Sequence, residues 1–173
     1  MYKILIAAFI YFLSPANIYE LSITSSSGAT VSLGTLQGKK MLFVNIATGS
    51  PLASQLAGLQ ELQDRYGDSL AVIAIPSNSF GNEARSNADI KVFCEASYHI
   101  TFLIAQKDAV TDTDLQPLYQ WLTSAGQNGV LTGTVKADYQ KYLVDGEGNL
   151  VAVFAGRINP TDPKVISAIT GRE

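Results

Sequence analysis

The chain has one cysteine, Cys94, and one histidine, His99, among its 173 residues. A single cysteine excludes an intramolecular disulfide bond. One cysteine and one histidine are also too few ligands for a tetrahedral metal site. A serine hydrolase needs a base beside its nucleophile, and no Gly-x-Ser-x-Gly motif surrounds Ser50. The sequence thus favours neither a metal site nor a serine hydrolase. We expect no metal and no cofactor in this protein.

Charged residues are scarce as well, since they make up 16% of the chain and give a formal net charge of −3. No basic tract or stripe is present, so nucleic acid and anionic membrane surfaces are not expected partners. Hydrophobic residues make up 47%, which at this length is enough for one well-packed core. We expect a single folded domain after the N-terminal segment.

The first sixteen residues have the layout of a secretory signal peptide. Lys3 supplies a positive start, residues 4–13 are an unbroken apolar run, and Ser14 and Ala16 are small residues at the −3 and −1 positions of a cleavage site. The apolar run is too short to span a bilayer by itself. We predict a signal peptide over residues 1–16, cleavage near Ala16, and a secreted or periplasmic domain over residues 17–173. An uncleaved membrane anchor is the alternative, and only then is the membrane a partner.

Strands, turns and helices alternate along the rest of the chain. Continuous apolar runs predict strands that are buried on both faces of a parallel sheet. Ser50 followed by Pro51 predicts the start of a helix with Ser50 as its N-cap. Asp145 to Asn149 supplies hairpin-turn residues rather than calcium ligands. The predicted elements are a hairpin over 18–33, a strand over 41–47, a helix from Ser50, a strand over 70–76, a helix over 87–98, a strand over 101–105, a helix over 115–122, a hairpin over 141–154 and a helix over 163–169.

This order of elements predicts a thioredoxin-like α/β domain, with a mixed central sheet flanked by helices and an N-terminal β-hairpin. In the predicted helix over 87–98, Cys94 faces inward. A small buried residue is the common role of such a cysteine, and a redox role would require exposure and a thiol from another molecule. Tyr119 and Trp121 lie close together in one short helix, which favours core packing over a binding site.

Four blocks in the chain resemble the glutathione peroxidase family, in the right order and at compatible spacing over about residues 18–170. The resemblance implies a thioredoxin-like fold of the glutathione peroxidase type and, in the family, reduction of peroxides by a cysteine or selenocysteine. The blocks read V-N-I-A-T-G-S-P-L at 44–52, I-P-S-N-S-F-G at 75–81, F-C with Y-H-I-T-F over 93–102, and K-A-D-Y-Q-K-Y-L-V-D at 136–145.

The resemblance also implies which residues occupy the family's catalytic positions, and all four are substituted. Ser50 stands at the Cys or selenocysteine position, Ser79 at the Gln position, Ala137 at the Trp position and Asp138 at the Asn position. Cys94 falls near the resolving cysteine of the family's thioredoxin-dependent members. The resolving position is thus occupied by a thiol, whereas the thiol that it would resolve is missing.

These substitutions predict a catalytically degenerate family member. Peroxide reduction needs a thiolate or selenolate that passes through a sulfenic or selenenic acid, and a serine hydroxyl cannot do so. We therefore expect an exported binding or interaction domain whose ligand or partner protein the sequence does not identify. The alternative is a residual thiol-dependent oxidoreductase in oxidative-stress defence that uses Cys94. Only in that case are glutathione or thioredoxin expected as partners.

Overall fold

The computed structural model describes residues 16–111 and 115–171 and contains seven strands and five α-helices in those ranges. The strands are β1 (Ser22–Thr24), β2 (Thr30–Ser32), β3 (Lys40–Ile46), β4 (Leu70–Pro76), β5 (Leu103–Ile104), β6 (Lys141–Val144) and β7 (Leu150–Phe154). The helices are α1 (Gln55–Tyr66), α2 (Asn87–Tyr98), α3 (Pro117–Thr123), α4 (Ala125–Asn128) and α5 (Pro163–Thr170). Two short 3-10 helices span Ile18–Glu20 and Leu33–Leu36.

A five-stranded mixed sheet with the order β5-β4-β3-β6-β7 forms the centre of the domain. Strands β3, β4 and β5 run parallel, while β6 pairs antiparallel with both β3 and β7. The central strands are buried on both faces, as their continuous apolar runs predicted. The predicted thioredoxin-like architecture with a mixed sheet is therefore confirmed.

Each face of the central sheet carries its own apolar cluster. One cluster packs α1, α2 and α5 against the sheet, with Leu56, Leu59 and Ile90 fully buried. The other packs the N-terminal segment and α3 against the opposite face, and it includes Tyr119 and Trp121. The predicted packing role of these two aromatic residues is confirmed.

The N-terminal hairpin is shorter than the sequence predicted. Strands β1 and β2 pair over three residues each, and Ile18–Glu20 form a 3-10 helix instead of strand. The side chain of Asn17 caps this helix by accepting the N–H of Tyr19 at 3.0 Å. In the turn of the hairpin, the N–H of Ser26 donates to Ile104 O at 2.8 Å, so this turn protects the open edge of β5.

The prediction that Ser50 caps the first long helix is wrong. Helix α1 begins at Gln55, and its N-cap position is Ser54. Between Ser50 and Gln55 the chain makes successive i→i+3 turns, including Ala53 N to Ser50 O at 3.0 Å and Gln55 N to Leu52 O at 2.9 Å. These tighter turns replace the first turn of α-helix, and Ser50 caps only the turn that starts at its own position.

Other predicted boundaries shift by a few residues. Strand β5 keeps only Leu103–Ile104, and α3 begins at Pro117. His99 is exposed and ends α2 in a left-handed conformation with φ of 54°. Within residues 16–111 and 115–171, no helix is long and apolar enough to cross a membrane. Apart from Ala16, the predicted signal peptide lies outside the described residues.

Candidate functional site

Ser50 lies in the loop that joins the carboxyl end of β3 to α1. Its side chain is buried, with 7% of the residue exposed. The Oγ atom accepts the N–H of Leu52 at 3.3 Å, and the N–H of Ser50 donates to Ala47 O at 3.2 Å. No carboxylate, amine or imidazole of the described residues bonds to the hydroxyl. The structure therefore gives Ser50 no base that could activate it.

A buried carboxylate holds the loop that carries Ser50. Glu83 is fully buried, and its two oxygens accept the N–H of Thr48 at 2.6 Å and the hydroxyl of Thr48 at 2.9 Å. Arg85 completes the network, because its backbone N–H donates to Glu83 at 3.1 Å and its guanidinium donates to the Thr48 hydroxyl at 2.6 Å. Charge-assisted bonds of this kind are about twice as strong as neutral ones. These hydrogen bonds therefore fix the conformation of the loop that carries Ser50.

Asn82 connects the Ser50 loop to Asp138. Its carbonyl oxygen accepts the N–H of Gly49 at 3.0 Å, and its side-chain amide donates to Asp138 Oδ2 at 2.6 Å. Space is tight here, since a Cβ added at Gly49 would lie 2.8 Å from Asn82 O. The structure therefore brings the loop of Ser50 and the side chain of Asp138 to one place.

Asp138 is 4% exposed, and its second oxygen, Oδ1, has no hydrogen-bond partner among the described residues. Its neighbour Ala137 is exposed, and the carbonyl oxygen of Ala137 accepts the side-chain amide of Asn45 at 3.0 Å. The Oδ1 atom of Asn45 is likewise buried without a partner in the described part of the chain. Two acceptors that lack donors thus flank this segment, which is a costly arrangement in a protein interior.

Tyr139 holds the segment in an unusual backbone conformation. Its φ of 61° lies in the left-handed region, which a bulky residue seldom adopts. Two contacts fix it: its N–H donates to Asn45 O at 2.7 Å, and its hydroxyl donates to Ala47 O at 3.2 Å. Burial raises the pKa of the Tyr139 hydroxyl far above its usual value, so this group stays a donor.

Lys141 supports the same segment from within the sheet. Its ammonium is fully buried and donates at 2.7 Å to each of three neutral oxygens, namely Gln55 Oε1, Tyr139 O and Ile158 O. No carboxylate in the described ranges pairs with it. Burial lowers the pKa of Lys141 to about 7, because desolvation penalises the charged form. The hydrogen bonds of this amine therefore connect the start of α1, the turn at Tyr139 and the chain after β7.

Ser79 faces away from this arrangement. Its Oγ accepts the N–H of Val110 at 3.0 Å and the hydroxyl of Ser77 at 3.0 Å. The residue also lines a shallow cavity of about 420 Å³ with Lys107 and Asp108. No bond in the described part of the chain joins Ser79 to Ser50 or Asp138. Of the four predicted positions, only Ser50 and Asp138 are connected, through Gly49 and Asn82.

Cys94 lies beneath the site, fully buried on the inner face of α2. Burial, together with a smaller contribution from the nearby charge of Glu83, raises the pKa of its thiol to about 12. At neutral pH the thiolate fraction is therefore very small. The described residues also contain no group of three or more histidine, cysteine, aspartate or glutamate side chains that could hold a metal ion.

The comparisons with known proteins agree with this geometry. The family model of glutathione peroxidases matches residues 18–123. The chain belongs to the glutathione peroxidase family. A glutathione peroxidase of Lactococcus lactis subsp. cremoris is 34% identical over 148 residues, which cover 84% of this chain and 94% of that protein. The glutathione peroxidase homolog BsaA of Bacillus subtilis is 32% identical over 148 residues, which cover 84% of this chain and 92% of that protein.

The fold comparison gives the same result. The crystal structure of Trgpx in its apo form is similar to this glutathione peroxidase family member with a TM-score of 0.69 and 24% sequence identity. The similarity covers 91% of this chain and 97% of Trgpx. It confirms the thioredoxin-like fold.

Three supporting residues of this family member were not predicted from the sequence: Asn82, Glu83 and Lys141. Asn82 and Glu83 lie in a polar loop whose pattern indicates nothing beyond a loop, and their partners are 56 and 35 residues away along the chain. Lys141 did carry a signal, because a lysine at the start of a central, otherwise apolar strand must find partners inside the domain.

Proposed function

We propose that this protein is an exported, catalytically degenerate glutathione peroxidase relative that acts as a binding or interaction domain. The observation that carries the proposal is Ser50. By resemblance it occupies the peroxidatic position, and its hydroxyl is buried in a turn with no base bonded to it. Peroxide reduction requires a nucleophilic atom that accepts an oxygen atom and is then reduced back to its original state. Sulfur and selenium can do this, and a serine oxygen cannot.

The surroundings of Ser50 support the same proposal. A peroxidatic thiolate is stabilised by nearby hydrogen-bond donors. Asp138 offers acceptors instead, and one of its oxygens already takes the amide of Asn82. Ser79 is bonded to Ser77 and Val110, and Ala137 has no polar side chain. None of the three groups is a donor directed at residue 50 in the described structure.

The scaffold around the site is nevertheless well held, which supports a role that depends on a fixed surface. Glu83, Asn82 and Lys141 make eight hydrogen bonds of 2.6 to 3.1 Å. Three of them hold Thr48 and Gly49 in the Ser50 loop, and the others reach Asp138, Arg85, Gln55, Tyr139 and Ile158. Networks of this kind keep loops in one conformation. A preorganised surface of this type suits the recognition of a partner protein or a small molecule.

The alternative is a residual thiol-dependent oxidoreductase that uses Cys94. A reactive cysteine needs access and an appreciable thiolate fraction. Cys94 has neither in the folded domain, since it is fully buried and burial raises its pKa to about 12. Use of Cys94 would therefore require α2 to open.

Export rests on the sequence of residues 1–16, with its single lysine, apolar run and small residues at the end. We propose that this segment directs the domain out of the cytoplasm. Fractionation of cells that produce the full chain tests this directly. A domain found only in the cytosol with an intact Met1 would contradict it.

The activity is tested by peroxide consumption with glutathione or with thioredoxin as reductant. We expect no turnover above the rate of the free reductant. A rate that survives Cys94→Ser would contradict the degenerate assignment, because Ser50 would then have to be active. A rate that disappears with Cys94→Ser would instead support the residual oxidoreductase.

A further inference from the structure

We infer that Asn128 is a site of spontaneous deamidation, which the fold protects and the unfolded chain exposes. A chain that stays unfolded is thereby altered covalently, and the altered chain folds less stably. No other asparagine of the chain precedes a glycine, and Asn128 and Gly129 form the end of helix α4. This property does not depend on the proposed function, because it concerns α3, α4 and the loop that follows them.

The reaction needs only the chain and water. The backbone nitrogen of Gly129 attacks Cγ of Asn128 and gives up its proton, and the new C–N bond closes a succinimide ring. The bond from Cγ to Nδ2 breaks, and Nδ2 takes up a proton and leaves as ammonia. Water then opens the ring at either carbonyl and gives aspartate or isoaspartate, with no oxidation or reduction. Glycine favours the attack, because no side chain crowds the nitrogen and its backbone is the least restricted.

The folded domain holds both polar atoms of the Asn128 side chain. Its Nδ2 donates to Trp121 O at 2.7 Å and to Leu131 O at 3.1 Å. Its Oδ1 accepts the N–H of Val130 and the N–H of Leu131, each at 2.8 Å. These bonds use both donors of the amide and both acceptor positions of its oxygen, and Asn128 is 6% exposed. The orientation of Cγ is therefore fixed while the bonds are intact.

The attacking nitrogen is held as well. The N–H of Gly129 donates to Ala125 O at 2.9 Å and so caps α4. Gly129 has a φ of 74°, the left-handed conformation of a helix cap, which glycine adopts readily. For the attack, this nitrogen must leave the cap and the Asn128 side chain must leave its four bonds, so α4 has to open first. The reaction is therefore slow in the fold and unhindered in the unfolded chain.

Deamidation would place an oxygen where Nδ2 of Asn128 now lies. In aspartate this oxygen carries no hydrogen at neutral pH, and it would face the carbonyl oxygens of Trp121 and Leu131. Both carbonyls would lose this donor, and a carboxylate would be buried against them. Isoaspartate would in addition lengthen the backbone at the end of α4. We therefore expect the folding equilibrium constant of the modified chain to be at least about tenfold lower.

The first experiment incubates the full chain, folded or unfolded in guanidinium chloride, at mildly alkaline pH. Peptide mapping by mass spectrometry measures the conversion of each asparagine and identifies isoaspartate. In the unfolded chain we expect Asn128 to react before the other asparagines. In the folded chain we expect its rate to be at least about a hundredfold lower, because only the small open population reacts.

Asn78, which precedes Ser79, is the internal control. It is exposed, and its side chain has one bond in the described part of the chain, from the N–H of Glu83 to Oδ1 at 2.9 Å. Folding should therefore slow the reaction of Asn78 at least about tenfold less than that of Asn128. Equal slowing at both positions would overturn the inference, because the bonds of Asn128 would then not be what protects it. A folded chain that reacts at Asn128 as fast as the unfolded chain would overturn it too.

The second experiment measures the cost of the product with Asn128→Asp. Asn17→Asp is the matched control, because Asn17 is exposed and aspartate keeps the oxygen that accepts the N–H of Tyr19. In chemical denaturation we expect the folding equilibrium constant to fall at least about tenfold for Asn128→Asp and less than about threefold for Asn17→Asp. An Asn128→Asp chain that does not fold, beside a control that does, would support the inference. Equal stabilities of the two variants would overturn the predicted loss of stability.

Discussion

The buried amine of Lys141 should make the stability of the domain depend on pH in a way that one substitution removes. Burial lowers the pKa of Lys141 from 10.5 to about 7 in the folded protein, whereas the unfolded chain keeps the ordinary value. Between these values the folded state binds fewer protons than the unfolded state, so the free energy of unfolding rises with pH. Below about pH 7 both states are protonated, and the cost of burying the charge is fully present.

The size of the effect follows from the shift. A change of one pKa unit corresponds to about 1.4 kcal/mol, so the full shift corresponds to about 5 kcal/mol. Somewhat less than half of that gain falls above pH 9, and between about pH 7 and pH 9 we expect a gain of about 2 kcal/mol. Other groups oppose this gain at higher pH, because burial raises the pKa of Cys94 and of Tyr142 to about 12.

Comparison with Lys141→Met isolates the amine, since the contributions of the cysteine and the tyrosines cancel in the difference. Urea unfolding of both proteins at several values between about pH 7 and pH 9 gives the two free-energy curves. The wild-type curve should rise relative to the variant by about 2 kcal/mol. Parallel curves would refute the reasoning, because they would mean that Lys141 keeps its proton throughout this range.

Two further predictions concern the groups around Ser50. Glu83→Gln should lower the free energy of unfolding by about 2 kcal/mol, because a buried amide then faces the Thr48 N–H; exposed Glu95→Gln should change it by less than about 0.5 kcal/mol, and equal effects in chemical denaturation would contradict the buried network. The native Cys94 thiol should be inert to a disulfide reagent near pH 8, since a pKa of about 12 leaves a thiolate fraction of about one in ten thousand. A cysteine introduced by Val92→Cys, at a position 64% exposed on the same helix, should react at once, and similar rates for both thiols would show that Cys94 is accessible.

Most of the central sheet could be predicted from the sequence because its signals are local. The apolar run of β4 and the turn residues between β6 and β7 set their strands without reference to distant partners, and the structure has all three strands as predicted. The structure differs from the prediction at residues 18–20 and 50–54 because the conformation there depends on contacts with distant parts of the chain. The Tyr19 hydroxyl bonds to Gly146, which is 127 residues away, and no local pattern encodes that contact.

The candidate site could be predicted only in part. The resemblance identified Ser50, Ser79, Ala137 and Asp138, but which of them meet depends on side-chain directions. Ser79 bonds to Val110, and Asp138 is linked to the Ser50 loop through Asn82. These contacts join residues from separate loops, so the three-dimensional fold was needed to find them.

The central claim, that this site lacks peroxidase chemistry because its groups have been replaced, is tested most directly by stopped-flow reaction with hydrogen peroxide. The proteins compared are the wild type, Ser50→Cys, and Ser50→Cys combined with Ser79→Gln, Ala137→Trp and Asp138→Asn, with Ser50→Ala as the matched control. We expect no reaction of the wild type beyond that of Ser50→Ala, slow thiol oxidation in the single variant, and a more than additive gain in the fourfold variant. Peroxide reduction by the wild type that Ser50→Ala abolishes would contradict the account, as would a Ser50→Cys rate that the other three changes do not increase.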